Sequence, residues 1–177
     1  MEVIERLRNF MFKRALKKDT YTSSLRKAFA WSDMKSIHVL FDATNSTERD
    51  TVMQYVDRLR QQGKTVKILA FINDKLEHNE MPYAHFSLKD LTWFNTINKK
   101  ASVVDEFIAQ KPDLLISLFS GENRPLSYLS MKIQATYKIA PLSNEGLVAD
   151  LMFKSSSDNA LTSLIKQIEI FVEKIKK

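Results

Sequence analysis

The sequence contains no cysteine. This absence excludes disulfide bonds and every zinc or iron–sulfur site that depends on cysteine ligands, and it is typical of proteins from a reducing compartment. No run approaches the roughly 18 consecutive apolar residues of a membrane span. Charged residues at positions 5, 6 and 8 also interrupt the apolar core that a signal peptide requires. We therefore expect a soluble, cytoplasmic protein.

Glycine and histidine are also scarce, and their positions exclude several kinds of active site. The three glycines are widely separated, so they form neither a G-x-G-x-x-G fingerprint nor a P-loop for nucleotide phosphates. No serine lies in the G-x-S-x-G elbow of α/β-hydrolases. The three histidines, His38, His78 and His85, are too scattered for a metal-binding motif. We expect no metal and no cofactor, and the sequence identifies no catalytic residue.

What the chain does have is an uneven distribution of charge. Its net charge is +6, from 27 Lys and Arg against 21 Asp and Glu. Residues 1–35 contain nine basic and four acidic side chains, a net +5, which leaves 18 basic and 17 acidic side chains in the other 142 residues. We call residues 1–35 the leader and residues 36–177 the body, and we expect the body to form a single α/β domain.

The body begins with a strand, a turn and a helix, in the order that opens many α/β domains. Residues 37–42 form an apolar run, and a helix pattern follows from a predicted capping box, Thr47 with Asp50, to a stop at Gly63. Further apolar runs predict strands at 64–72, 83–86, 113–119, 136–140 and 147–153. We predict a three-layer α/β fold: a mainly parallel, Rossmann-like sheet of five to six strands in the order 3-2-1-4-5-6, with helices on both faces.

Residues 3–17 of the leader have the spacing of an amphipathic helix with a basic charged face. Three interpretations fit this pattern. The helix packs on the body with its charges solvated, it contacts the phosphates of a polyanion such as RNA, the ribosome or DNA, or it lies on an anionic membrane surface. The residues that would contact a polyanion are Arg6, Arg8, Lys13, Arg14, Lys17, Lys18, Arg26 and Lys27.

A second candidate site follows from the predicted strand order. In an open parallel sheet, ligands bind beyond the carboxyl ends of the strands, where the strand order reverses. Here that point lies between the first and fourth strands. The polar residues expected there, which we call the switch-point residues, are Asp42, Thr44, Asn45, Ser120, Glu122, Asn123 and Arg124. Such residues either bind a polar small molecule or cap and brace their own turns, and the sequence leaves both interpretations open.

Several short motifs in a fixed order make the chain similar to a known family. They are VLFDAT after the basic leader, LTWF in mid-chain, DLLISL before PLSYLS, and ADLMF before the last helix. Over most of residues 35–175 the chain resembles a small α/β family from Bacteroidetes genomes, described only as a domain of unknown function. The resemblance implies the fold and no activity. In that family the DLLISL strand more often carries an acid where this chain has Ser117, so an acidic pair with Asp42 is not expected.

The sequence therefore leaves two classes of function. The first is a non-catalytic binding or accessory protein whose basic leader contacts a polyanionic partner, and the charge asymmetry favours this class. The second is a small-molecule-binding domain or an enzyme that uses the crevice between the carboxyl ends of strands one and four. A deep polar pocket at that crevice would favour the second class, whereas salt-dependent binding to nucleic acid would favour the first.

Overall fold

A computed structural model describes residues 4–6, 10–11, 14, 30–74, 81–92, 96–98, 102–119, 123–142, 149–154 and 160–175 of the chain. Its centre is a six-stranded sheet in which neighbouring strands are all parallel. The strands are β1 Ser36–Asp42, β2 Thr65–Ile72, β3 Ala84–Ser87, β4 Leu114–Leu118, β5 Tyr137–Pro141 and β6 Leu151–Phe153. Their order is 3-2-1-4-5-6, which confirms the predicted Rossmann-like topology.

Helices cover both faces of this sheet. Those that the structure describes in the body are α1 Ser46–Gln61, α2 Ser102–Ala109, α3 Arg124–Lys132 and α4 Ala160–Ile175. Because alternate residues of a strand point to opposite faces, Val39 and Phe41 join a core with residues of α1 and α4, whereas Leu40 joins a core with residues of α2 and α3. We call these the α1/α4 face and the α2/α3 face. Among the helices described, none combines the length and the apolar character needed to cross a bilayer.

The last helix packs as its periodicity predicts. Ile168 is fully buried in the core of the α1/α4 face. Phe171 is partly buried against the same core, and its ring meets the ring of Phe153 edge-on, with 6.3 Å between centroids. Full burial of an isoleucine side chain such as Ile168 contributes about 1.5–3 kcal/mol to the stability of the folded protein. Ile168 and Phe171 therefore both face the sheet, as the helical spacing of the apolar residues in this segment indicates.

The start of α1 differs from the prediction, whereas its end agrees. Asn45, not Thr47, is the N-cap, and its Oδ1 accepts hydrogen bonds from the backbone N–H groups of Thr47 at 2.9 Å and Glu48 at 3.4 Å. Asparagine suits this position because its short side chain reaches the free N–H groups of the first turn. Gly63 follows the helix with a φ of 77°, a left-handed conformation that glycine adopts without steric cost.

The last residues of the leader belong to the packed body. Trp31 and Met34 are buried in the core of the α1/α4 face. The backbone N–H of Ser36 donates to the Asp113 carboxylate at 2.8 Å, which fixes the entry into β1 beside the entry into β4. A truncation from the N-terminus must therefore end before Trp31 if it is to leave this core intact.

Candidate functional site

The carboxyl ends of β1 and β4 lie side by side, at the point where the strand order reverses. Asp42, Thr44 and Asn45 occupy the end of β1 and the turn after it, whereas Asn123 and Arg124 begin α3. The other two predicted switch-point residues lie outside the described residues; they are Ser120 and Glu122. The hydrogen bonds of Asp42, Thr44, Asn45 and Asn123 show what these four side chains do.

A short hydrogen bond joins the two sides of the switch point. Asn123 Nδ2 donates to Asp42 Oδ2 at 2.7 Å, and the backbone N–H of Thr44 donates to Asp42 Oδ1 at 2.9 Å. Asn123 Oδ1 in turn accepts from the backbone N–H of Leu126 at 3.2 Å and caps α3. Both carboxylate oxygens of Asp42 thus have donors within the protein, so this residue braces the junction of β1 with α3.

Thr44 and Asn45 also hold the turns that carry them. Thr44 Oγ1 accepts from the backbone N–H of Asn73 at 2.9 Å, which ties the end of β1 to the end of β2. Asn45 caps α1, as described above. Bonds from short polar side chains to nearby backbone groups are the usual means of fixing such turns. That these residues also bind a ligand stays a prediction.

The α1 side of the switch point is acidic. Burial raises the pKa of Glu48, and the nearby carboxylate of Asp42 raises it further. The neighbouring carboxylates of Asp42 and Glu48 disfavour the binding of a further negative charge beside them. An anion that approaches this edge of the sheet is therefore directed toward the α3 side, where Arg124 lies.

The α3 side borders an open depression of about 330 Å³. It lies between the end of β2, the segment after β3 and the first turn of α3. Its lining includes Glu5, Phe71, Asn73, Leu88, Leu91 and Arg124. Asn123 also borders it. Of the five described switch-point residues, Asp42, Thr44 and Asn45 brace the turns, Asn123 both braces them and borders the depression, and Arg124 borders the depression.

The α2/α3 face encloses a polar cluster formed by Ser117, Ser130 and Lys138. Lys138 in β5 is fully buried, and its Nζ donates to the backbone carbonyl oxygen of Ser130 in α3 at 2.6 Å. The hydroxyl groups of Ser117 and Ser130 lie 3.0 Å apart and share a hydrogen bond. A cation near the C-terminal carbonyls of a helix is favourable, so this cluster secures α3 to the sheet. The one signal in the sequence is a charged residue within an otherwise apolar strand.

His38 on β1 is a packed residue of the same face. It is buried, and its ring centroid lies 4.3 Å from that of Phe107 in α2. Burial and the charge of Lys67 lower the pKa of His38 from 6.5 to about 4, against the opposing effect of a hydrogen bond with Gln110. His38 is therefore neutral in the folded protein at pH 7.

We expect the protein to lose stability as the pH falls from 6.5 to about 4. Over this range the unfolded chain binds a proton at His38 and the folded chain does not, so stability falls by roughly 3 kcal/mol at the lower end. His38→Phe keeps a ring against Phe107 and should remove this part of the pH dependence. Urea unfolding of both proteins at several pH values checks it. The same pH dependence in the variant would show that His38 is not the titrating group.

Among the residues that the structure describes, the histidines form no metal site. Within the described ranges, no three His, Asp or Glu side chains lie close enough to hold a metal ion. His85 Nδ1 lies 3.3 Å from the backbone carbonyl oxygen of Tyr83, a local contact in β3. His78 lies outside the described residues, and so do Trp93 and Phe94 of the LTWF motif.

Together these observations define a class of protein: a three-layer, Rossmann-like α/β domain whose switch point is braced by its own side chains. Residues 8–175 match the model of a family described as a family of unknown function (DUF6913). Because the match covers most of the chain, the protein belongs to that family. No curated protein and no solved structure matches the chain significantly. Family membership confirms the resemblance carried by the motifs and adds no activity.

Proposed function

We propose that this is a non-catalytic binding or accessory protein whose basic leader contacts a polyanionic partner: RNA, the ribosome or DNA. The observation that carries the proposal is the placement of charge, a net +5 in residues 1–35 and +1 in the 142 residues that follow. Nucleic acids are bound largely through contacts between phosphates and the cations of Lys and Arg. We place the protein in the cytoplasm, a reducing compartment that suits a chain without cysteine.

The described leader residues support a surface role for this segment. Up to Arg14 they are helical, and the side chains of Arg6 and Arg14 are exposed. Ile4 is 54% exposed and Phe10 is 60% exposed, so part of the apolar stripe also faces solvent. An exposed surface with both cations and apolar side chains suits a single-stranded nucleic acid, which offers phosphates beside the faces of its bases.

The bonding at the switch point supports a non-catalytic role. A catalytic site requires a nucleophile, an acid or a base that is directed at the substrate. Asp42, Asn45 and Asn123 are instead directed at backbone groups and at one another. These contacts give the three side chains a structural role at the place where an α/β enzyme of this topology usually binds its ligand.

Neutralising the leader cations should weaken binding to nucleic acid. The test variant replaces four leader cations by glutamine in the full chain: Lys13, Arg14, Lys17 and Lys18. A matched control, with the same net charge, replaces four exposed cations of the body by glutamine: Lys111, Lys154, Lys166 and Lys174. In filter binding to single-stranded RNA at about 0.1 M salt, we expect the test variant to bind at least about tenfold more weakly than the control.

Three other results would contradict the proposal. Equal weakening by both variants would show that net charge matters and the leader does not. Wild-type affinity in the test variant would exclude these four cations from the contact. Binding to anionic lipid vesicles, with no binding to RNA or DNA, would replace the polyanion by a membrane surface.

A further inference from the structure

The depression beside α3 brings together residues from distant parts of the chain. Glu5 comes from the leader, Asn73 follows β2, and Arg124 is the first residue of α3. Arg124, Asn73 and the leader residue Glu5 thus line one depression, and their side chains carry a guanidinium, an amide and a carboxylate. Glu5 is an acid within a segment that is otherwise rich in cations.

We propose that this depression is a binding site for small anions that carry phosphate or carboxylate groups, and that the Glu5 carboxylate is its internal competitor. A guanidinium suits both groups because its planar fork of N–H donors matches two oxygens at once. The volume of about 330 Å³ lies near the lower end of the range for small-molecule sites, about 300–1,000 Å³. Glu5 lines the same depression as Arg124, so its carboxylate is placed to compete with the carboxylate or phosphate of a ligand.

The surroundings determine where such an anion would lie. Asp42 and Glu48 make the α1 side acidic, and Asp42 is bonded to Asn123 and to the backbone of its own turn. The anionic group is therefore directed to Arg124. Leu88 and Leu91, both partly buried, also line the depression and offer apolar surface to the uncharged part of a ligand. The arrangement fits a small molecule with an anionic end and an apolar or weakly polar body.

A simpler account competes with this one. In that account Glu5 only fixes the leader to the body, as surface acids near cations often do, and the depression binds nothing. The two accounts differ in the effect of removing the Glu5 charge. If Glu5 is merely structural, its removal creates no anion binding. If Glu5 is an internal competitor, its removal raises the apparent affinity, because the acid no longer occupies the site for part of the time.

The experiment titrates the full chain with inorganic pyrophosphate in low salt by isothermal titration calorimetry. The variants are Glu5→Gln, Arg124→Gln and a charge-matched control, Asp33→Asn. Asp33 is an exposed acid just before β1, at the end of the sheet where the parallel strands begin. We expect Glu5→Gln to bind pyrophosphate about tenfold more tightly than wild type, the gain if Glu5 occupies the site about nine-tenths of the time. Asp33→Asn should remain within about twofold of wild type, because a distant charge is screened. Arg124→Gln should abolish binding.

Each alternative outcome overturns the inference. Equal gains in pyrophosphate affinity in Glu5→Gln and Asp33→Asn would show that the gain depends on net charge alone. Unchanged binding in Arg124→Gln would place the anion elsewhere, for instance on the leader cations. No binding by wild type or by Glu5→Gln would show that the depression is no anion site. Since the titration contains no nucleic acid, its failure and the failure of the proposed polyanion function are separate results.

Discussion

Ile168→Asp should unfold the protein or lower its free energy of unfolding by more than about 4 kcal/mol. Ile168 has 0% exposed surface and lies in the core that joins α1, α4 and the sheet. One turn earlier, Leu164 and Ile165 present further buried apolar surface to the same core. A carboxylate placed there loses its hydration, and the total stability of a domain is only about 5–15 kcal/mol.

The same helix supplies a matched control for this variant. Ile170 is 43% exposed, so Ile170→Asp makes the same chemical change on the solvent side of α4. We expect that change to alter the free energy of unfolding by about 0.5 kcal/mol or less. Thermal unfolding followed by circular dichroism compares the two variants. Equal losses in both, or a melting temperature that Ile168→Asp leaves unchanged, would contradict the placement of α4.

Much of the fold is predictable because it depends on local patterns. Buried parallel strands are nearly continuous apolar runs, and β1, β2 and β4 each follow one. Right-handed crossovers then leave few possible strand orders. The predicted boundaries are wrong at the starts of α1 and β6. The side chains of Asn45 and Thr47 can each accept a hydrogen bond from a free backbone N–H, and in the structure Asn45 is the residue that caps the helix. The strand β6 begins at Leu151, later than the predicted start at residue 147, and the Asp150 carboxylate just before it accepts from the backbone N–H of Lys138 at 2.8 Å.

The candidate site is less predictable, because its contacts join distant parts of the chain. The strand order places Asp42 and Asn123 at the same edge of the sheet, but their hydrogen bond depends on how far each strand extends, which no local pattern specifies. Trp31 precedes the predicted body and still packs into its core, because tertiary contact can bury residues outside any clear periodic segment. Lys138 is a buried cation, a rare feature, and its Nζ donates to carbonyl oxygens at the end of α3, a contact that no local pattern predicts.

Removing residues 1–29 should abolish binding to nucleic acid and leave the fold intact. The truncated chain keeps Trp31 and Met34, so its core stays closed. It loses the eight leader cations named above, and its sheet and helices are all encoded after the cut. A melting temperature close to that of the full chain is the control for an intact fold. Early melting or aggregation of the truncated chain would instead show that the leader packs on the body.

The most direct test of the polyanion proposal is the dependence of RNA affinity on salt. Each phosphate contact contributes about −0.7 to −0.9 to the slope of log affinity against log salt concentration, so four to eight contacts predict a slope of about −3 to −7. Replacing Lys13, Arg14, Lys17 and Lys18 by glutamine should make the slope shallower by about 3, and the truncated chain should not bind measurably. Weak binding of equal strength and equal slope by all three proteins would contradict the proposal.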